Sequence, residues 1–184
     1  MQRDEGPYYH DQPEYSNSSL LAMAGVAIQD VAFAGRCERV VIDFINRSEN
    51  VVGCVAWLTN PMVIAALERI PRAEIVVTAD TVHNRPALGL HRIGVRQIGA
   101  ARGRYRSLMH HKFMVRLTNG QPTHVLLGSY NFTRRSNHNI GESIIVVKCS
   151  RTAGLFADEA RRALRASRPI RYNARGARPD VRRR

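Results

Sequence analysis

The chain has 184 residues, 28 basic against 15 acidic, for a formal net charge of +13, and 44% of it is hydrophobic. That is enough apolar material for one domain with a core and flanking tails. No run approaches 18 consecutive apolar residues, so no membrane span is expected. The short apolar segment Leu20–Ile28 follows a net-acidic stretch without a basic n-region, which argues against a secretory signal.

Residues 1–19 are rich in Pro, Ser, Asn, Asp and Glu and read as a disordered tail. Val26–Ala34 reads as a first strand. Cys37–Arg47 reads as a helix with Val40, Val41, Phe44 and Ile45 on one face. Val51–Leu58 is almost wholly apolar, as a strand buried on both sides would be. Asn60 can cap a helix that starts with Pro61 and runs to about Arg69. Strands follow at Glu74–Ala79 and Val95–Ile98. Two more apolar runs, one ending near Leu117 and one leading to Gly128, flank Asn119-Gly120, a strong tight-turn signal. Ser143–Cys149 is a further strand. Thr152–Ala166 is a helix with Leu155, Phe156, Ala160 and Leu164 on its apolar face, and 168–184 is an Arg-rich tail. The domain proper is therefore 20–167. Its expected class is α/β, a mixed β-sheet flanked by helices, opening with a βαβ unit of strand, helix 37–47 and strand 51–58.

The charge is unevenly spread. Residues 1–80 have a net of −5, and 142–184 a net of +8. Between them, 81–141 holds nine Arg and Lys112 with no Asp or Glu. Acids are missing where a polyanion would sit. Arg102, Arg104 and Arg106 form a basic rim leading to the richest motif, and Arg134 and Arg135 follow it. Cys37, Cys54 and Cys149 are odd in number and lack metal spacing. Cys54 and Cys149 read as buried thiols, which suits a reducing, cytoplasmic setting. No zinc, P-loop or dinucleotide pattern is present, and no metal or cofactor is expected. His83 and His91 lie in the acid-free loop region, where loop histidines are usually solvated, and His124 and His138 have no partner spacing.

The motif is MHHKFMVRLTNGQPTHVLLGSYNFT. His110 and Lys112 are two apart and would share one face of a strand, while His111 would face away. Ser129 and Asn131 are two apart at the end of the next run. An imidazole, an ammonium, a hydroxyl and an amide could thus converge on one anion. Glu142 is the first carboxylate after the gap.

At these residues the chain resembles the phospholipase D superfamily, whose signature is HxK, four residues, Asp, six residues, then GSxN. It is most similar to the small single-motif members that are metal-independent bacterial endonucleases. The resemblance spans roughly Ala27 to Ala166 and implies a phospholipase D-like fold. It further implies that His110 is nucleophile or acid, that Lys112 and Asn131 hold phosphate oxygens, that Glu142 orients the imidazole, and that Ser129 lines the pocket. Two departures stand out. The Asp position is Leu117, and 15 residues rather than 11 separate Lys112 from Gly128. By alternation Leu117 shares a face with His111 and Phe113, pointing into the core. A single motif implies a homodimer with the active site at its interface. The expected activity is metal-independent cleavage of nucleic acid, DNA or RNA, through a phosphohistidine. The alternatives are a phospholipase and an inactive nucleic-acid-binding module.

Overall fold

The computed structural model describes residues 26–78, 94–98, 109–139 and 141–169. Among them, eight strands form one mixed sheet: β1 (Ala27–Phe33), β2 (Asn50–Val55), β3 (Arg72–Thr78), β4 (Gly94–Ile98), β5 (Lys112–Thr118), β6 (Gln121–Gly128), β7 (Ser143–Lys148) and β8 (Arg168–Pro169). Three α-helices accompany them: α1 (Cys37–Asn46), α2 (Pro61–Arg69) and α3 (Ser150–Ala166). The strand order is β1-β7-β6-β5-β2-β3-β4-β8.

This order corrects the opening βαβ unit. Four antiparallel pairings, β1–β7, β7–β6, β6–β5 and β5–β2, leave β1 and β2 parallel but separated by three strands. The adjacent parallel crossover is instead β2–α2–β3. Local sequence predicts a helix between two strands. It does not predict that the β5–β6–β7 meander is inserted between them. A second correction concerns the tail, since Arg168 and Pro169 form β8 and pair with β4. Residues 1–19 and 170–184 lie outside the described residues.

Elements form where composition and capping favour them. The Asn60 side chain accepts from the Met62 N–H at 2.9 Å and Pro61 opens α2, so the helix starts with one orphan donor satisfied, worth about 1 kcal/mol. Asn119 and Gly120 both have positive φ, 50° and 75°, which is the left-handed backbone a tight β5–β6 turn requires. The four residues beyond the signature's spacing are absorbed in this hairpin.

The sheet separates two apolar clusters. Val40, Val41, Phe44 and Ile45 of α1 and Val63, Ile64 and Leu67 of α2 pack on one face with Val51, Met114, Leu126 and Ile144. On the other face, α3 meets Val52, Cys54, Phe113, Val115 and Val125. Here too the prediction needs adjusting. The buried side of α3 is Ala153, Ala157, Ala160 and Ala163, with Phe156 and Leu164 only partly covered. Alanines let the helix axis lie close to the sheet, so the larger residues flank the contact rather than fill it. Arg116 is buried under α1, where it donates to Ser48 Oγ and to the Phe44 carbonyl, both at 3.1 Å, and packs on the Phe44 ring. A cation at those last carbonyls suits the negative end of the helix and pins α1 to β5.

Of the two thiols expected to be buried, Cys54 is and Cys149 is not. Cys54 is fully buried, with its pKa pushed up to about 12 by burial, and Cys37 is buried as well. Cys149 is only half-buried, at the start of α3.

Candidate active site

Val55 ends β2, Lys112 begins β5, Gly128 ends β6, Ser143 begins β7 and Phe33 ends β1. The pairings Val55 with Lys112, Gly128 with Ile144 and Phe33 with Ser143 place all five ends on one margin of the sheet. Strand ends leave backbone groups and side chains free to meet a ligand, which a paired strand interior does not.

His110 precedes β5 rather than lying within it, and it is exposed. Lys112 is buried. Its ammonium donates to the His110 carbonyl oxygen at 2.9 Å. Trp57, just beyond β2, presents its ring edge-on to the imidazole with centroids 5.5 Å apart, and Lys112 Nζ sits 5.8 Å from the same ring. The contact fixes the imidazole plane and offers the cation a π face. Burial lowers the Lys112 pKa, and the negative charge of Glu142 works against that. His110 is held below its ordinary value by burial first, then by the charges of Lys112 and His111. His111 does face away, with Nε2 3.2 Å from Glu159 of α3 and its ring edge-on to Phe113.

Among the described residues the hydrogen bond that Glu142 accepts comes from Asn139, at 3.0 Å, and none joins it to His110. Its backbone carbonyl accepts from Ala34 N–H. Ser129 clasps β7: its N–H donates to the Ser143 carbonyl at 3.0 Å, and its hydroxyl accepts from Ser143 N–H at 2.9 Å. The glycine before it is demanded by the same approach, since a Cβ at 128 would lie 2.0 Å from the Ser143 oxygen. Asn131 Oδ1 is buried without a partner, an orphan that a bound group or water would satisfy. Arg134 and Arg135 are exposed at the short 3₁₀ helix Arg135–His138. Arg102, Arg104 and Arg106, with His83 and His91, lie outside the described residues. Leu117 packs against the α3-side cluster, on the face opposite Lys112.

Sequence reasoning missed a polar network under the site. The Glu38 carboxylate of α1 accepts from Asn60 and from Asn137, and Asn137 accepts in turn from the buried Tyr130 hydroxyl. Burial, chiefly, raises the Tyr130 pKa, so the phenol stays a donor. The network ties the GSYN segment to α1 and to the cap of α2. Trp57 was also missed. Its one available signal is that the chain's single tryptophan directly follows the apolar β2 run. The partners of Glu38 are 22 and 99 residues away, a distance over which no local pattern speaks.

Among the described residues no three His, Cys, Asp or Glu gather into a possible metal site, and no helix is long and apolar enough to cross a membrane.

An eight-stranded mixed sheet with helices on both faces and an HxK…GSxN pair at one strand margin defines a phospholipase D-like α/β domain. The family model described as "Cardiolipin synthase, PLD-like domain" matches residues 41–164, more than half of the chain. The chain belongs to the phospholipase D superfamily, which places it among phospholipase D-type phosphodiesterases. Solved structures agree on the fold. Nuc from Salmonella typhimurium, a phospholipase D family member, is 16% identical with a TM-score of 0.63, over 80% of this chain and 99% of that one. NucT from Helicobacter pylori is 15% identical with a TM-score of 0.67, over 79% and 99%. TrmBL2, an archaeal chromatin protein described with a novel mode of DNA binding, is 11% identical with a TM-score of 0.52, over 83% and 58%. No curated protein matches the sequence.

Proposed function

We propose that the protein is a metal-independent endonuclease of low sequence preference, acting through a phosphohistidine. The observation that carries this is the exposed His110 imidazole packed nearly perpendicular to Trp57, with a buried Lys112 ammonium donating to the His110 carbonyl. A neutral imidazole nitrogen of His110 attacks phosphorus and forms the N–P bond. The bond to the leaving oxygen breaks, and the protonated His110 of a second copy gives that oxygen its proton. The second imidazole, now neutral, takes a proton from water. The hydroxide displaces His110 and the N–P bond breaks, which restores both groups. Lys112 stabilises charge on the phosphoryl oxygens, and Asn131, whose buried Oδ1 lacks a partner, turns about its last torsion so that its NH2 takes that place and donates to them. Ser129 lines the pocket. Glu142 acts on Lys112 as a counter-charge and on His110 only after substrate rearranges the margin.

Nucleic acid is favoured as substrate by the acid-free stretch 81–141, which carries Arg102, Arg104 and Arg106 shortly before the motif in sequence, and by the exposed Arg134 and Arg135. The nuclease names of two structural neighbours support the same reading. A lipid substrate is the second reading, favoured by the description of the matching family model. The test incubates pure protein with single- and double-stranded DNA, RNA and phosphatidylcholine vesicles, with EDTA in excess. Nucleic acid should be cut, and His110→Ala should abolish cutting. Activity lost in EDTA and restored by Mg²⁺ would sink the mechanism. Headgroup release without strand cleavage would favour the lipid reading.

A further inference from the structure

The side chain of Asn131 is aimed by its two neighbours, Tyr130 and Phe132, which are 0% and 1% exposed with their ring centroids 5.8 Å apart. The Phe132 carbonyl accepts from the N–H groups of Thr59 and Asn60, both at 2.9 Å. Asn60 is itself completely buried, and its side chain faces two ways. Oδ1 accepts from Met62 N–H at the cap of α2, and the amide nitrogen donates to Glu38. On the other flank, Thr133 Oγ1 accepts from Ser136 N–H at 3.2 Å at the start of the 3₁₀ helix Arg135–His138. That turn returns Asn137 to Tyr130. The phenol donates to Asn137 Oδ1, and the Asn137 amide nitrogen donates to Glu38. Both flanks of Asn131 therefore end on one carboxylate oxygen, Oε2 of Glu38.

The direction of each of these bonds is set. The Asn60 oxygen is engaged at the helix cap and the Asn137 oxygen at the phenol, so both amide nitrogens have to point at position 38. Two converging donors need an acceptor there. A carboxylate is acceptor-only, and Glu38 lies in the first turn of α1, where the positive end of the helix favours it. We infer that Glu38 is a positioning residue, which holds the Asn131 amide on the phosphoryl oxygens through Asn60 and Phe132 on one side and through Asn137 and Tyr130 on the other. The inference rests on the reading of Asn131 as a phosphoryl ligand, and it names the group that keeps that ligand in place. Glu38 acts without touching substrate. Its loss leaves two amide donors without an acceptor, one of them fully buried, and re-pairing them shifts the segments on either side of Asn131. A displacement of about 1 Å in such a group can cost about 100-fold in rate.

The test measures kcat and KM for release of nitrophenolate from bis(p-nitrophenyl) phosphate, a phosphodiester that needs neither nucleic-acid nor lipid contacts. Glu38→Ala, Glu38→Gln and Tyr130→Phe are made in wild type and in Asn131→Ala, and all are assayed below the onset of melting by circular dichroism. Glu38→Ala should lower kcat about 10-fold or more and leave KM within about two-fold, since Asn131 acts on charge that develops at the transition state. Glu38→Gln should keep most of the turnover that Ala loses, because one oxygen accepts both amides and the glutamine oxygen can take its place. In the Asn131→Ala background, Glu38→Ala should change kcat by less than about two-fold. An equal loss in both backgrounds, or a normal kcat in Glu38→Ala, overturns the inference and leaves Glu38 a structural group. Glu38→Gln as slow as Glu38→Ala overturns the relay in favour of the carboxylate's charge. If Glu38→Ala does not fold, Tyr130→Phe removes one relay, keeps the ring and is read by the same comparison. Asn131→Ala alone tests the underlying reading separately: normal turnover there removes the phosphoryl-ligand reading, and the positioning role with it.

Discussion

Lys112 Nζ donates to the carbonyl oxygen of His110 at 2.9 Å, so the cation is tied to the backbone that carries the imidazole. A buried ammonium held by one carbonyl and a ring face is costly to the fold, and burial accordingly lowers its pKa. Lys112→Met should therefore leave stability within about 1 kcal/mol of wild type or raise it. Turnover at saturating substrate should fall about 100-fold or more, because charge stabilisation and backbone anchoring disappear together. Thermal melts and kcat decide it, and a Met variant with near-normal kcat would remove Lys112 from the chemistry.

The pH profile follows from His110. Its pKa is depressed below 6.5, first by burial and then by Lys112 and His111. The attacking imidazole must be neutral, so kcat/KM should fall on the acid side with a midpoint below 6.5. The alkaline limb belongs to the imidazolium of the second copy, and the pair titrates as a coupled unit. For stability the sign is the same. A depressed histidine contributes fully at high pH, and its contribution fades as pH falls through the lowered value. An acid limb centred above 6.5 would contradict this electrostatic picture.

Gly128 is fixed by β7. A Cβ there would meet the Ser143 oxygen at 2.0 Å and Ile144 Cα at 3.0 Å, both backbone atoms that cannot swing aside. Gly128→Ala should cost about 3 kcal/mol and open the Ser129 clasp, so that kcat falls as well. Gly120→Ala meets open space but keeps a φ of +75°, and should cost only about 1 kcal/mol without touching kcat. Urea midpoints for the two variants measure the contrast, and equal costs would mean that strand approach is not what selects Gly128.

Leu117 occupies the signature's Asp position but packs on the α3 side, away from Lys112. Leu117→Asp should destabilise by about 2–4 kcal/mol, from lost burial plus a partly buried, unpaired carboxylate, and should not raise activity. A stable and more active variant would return the position to the site.

Hydrophobic period, caps and turn residues act over a few positions, and for that reason the helices 37–46 and 61–69, the Asn119-Gly120 hairpin and the outward direction of His111 were all legible in the sequence. The HxK and GSxN residues were legible too, because their spacing is local. Other features depended on partners far along the chain. The sequence reads β1 and β2 as neighbours, whereas strand pairing is decided by which apolar faces can be covered at once, and the β5–β6–β7 meander took the place between them. Glu38 is an unremarkable helical carboxylate until the fold brings Asn60 and Asn137 to it. Trp57 and Ser143 become parts of the site only because five strand ends share one margin. Residue types and short spacings supplied the chemical groups. Their meeting was settled by long-range burial and by the hydrogen bonds that strand ends leave to be made.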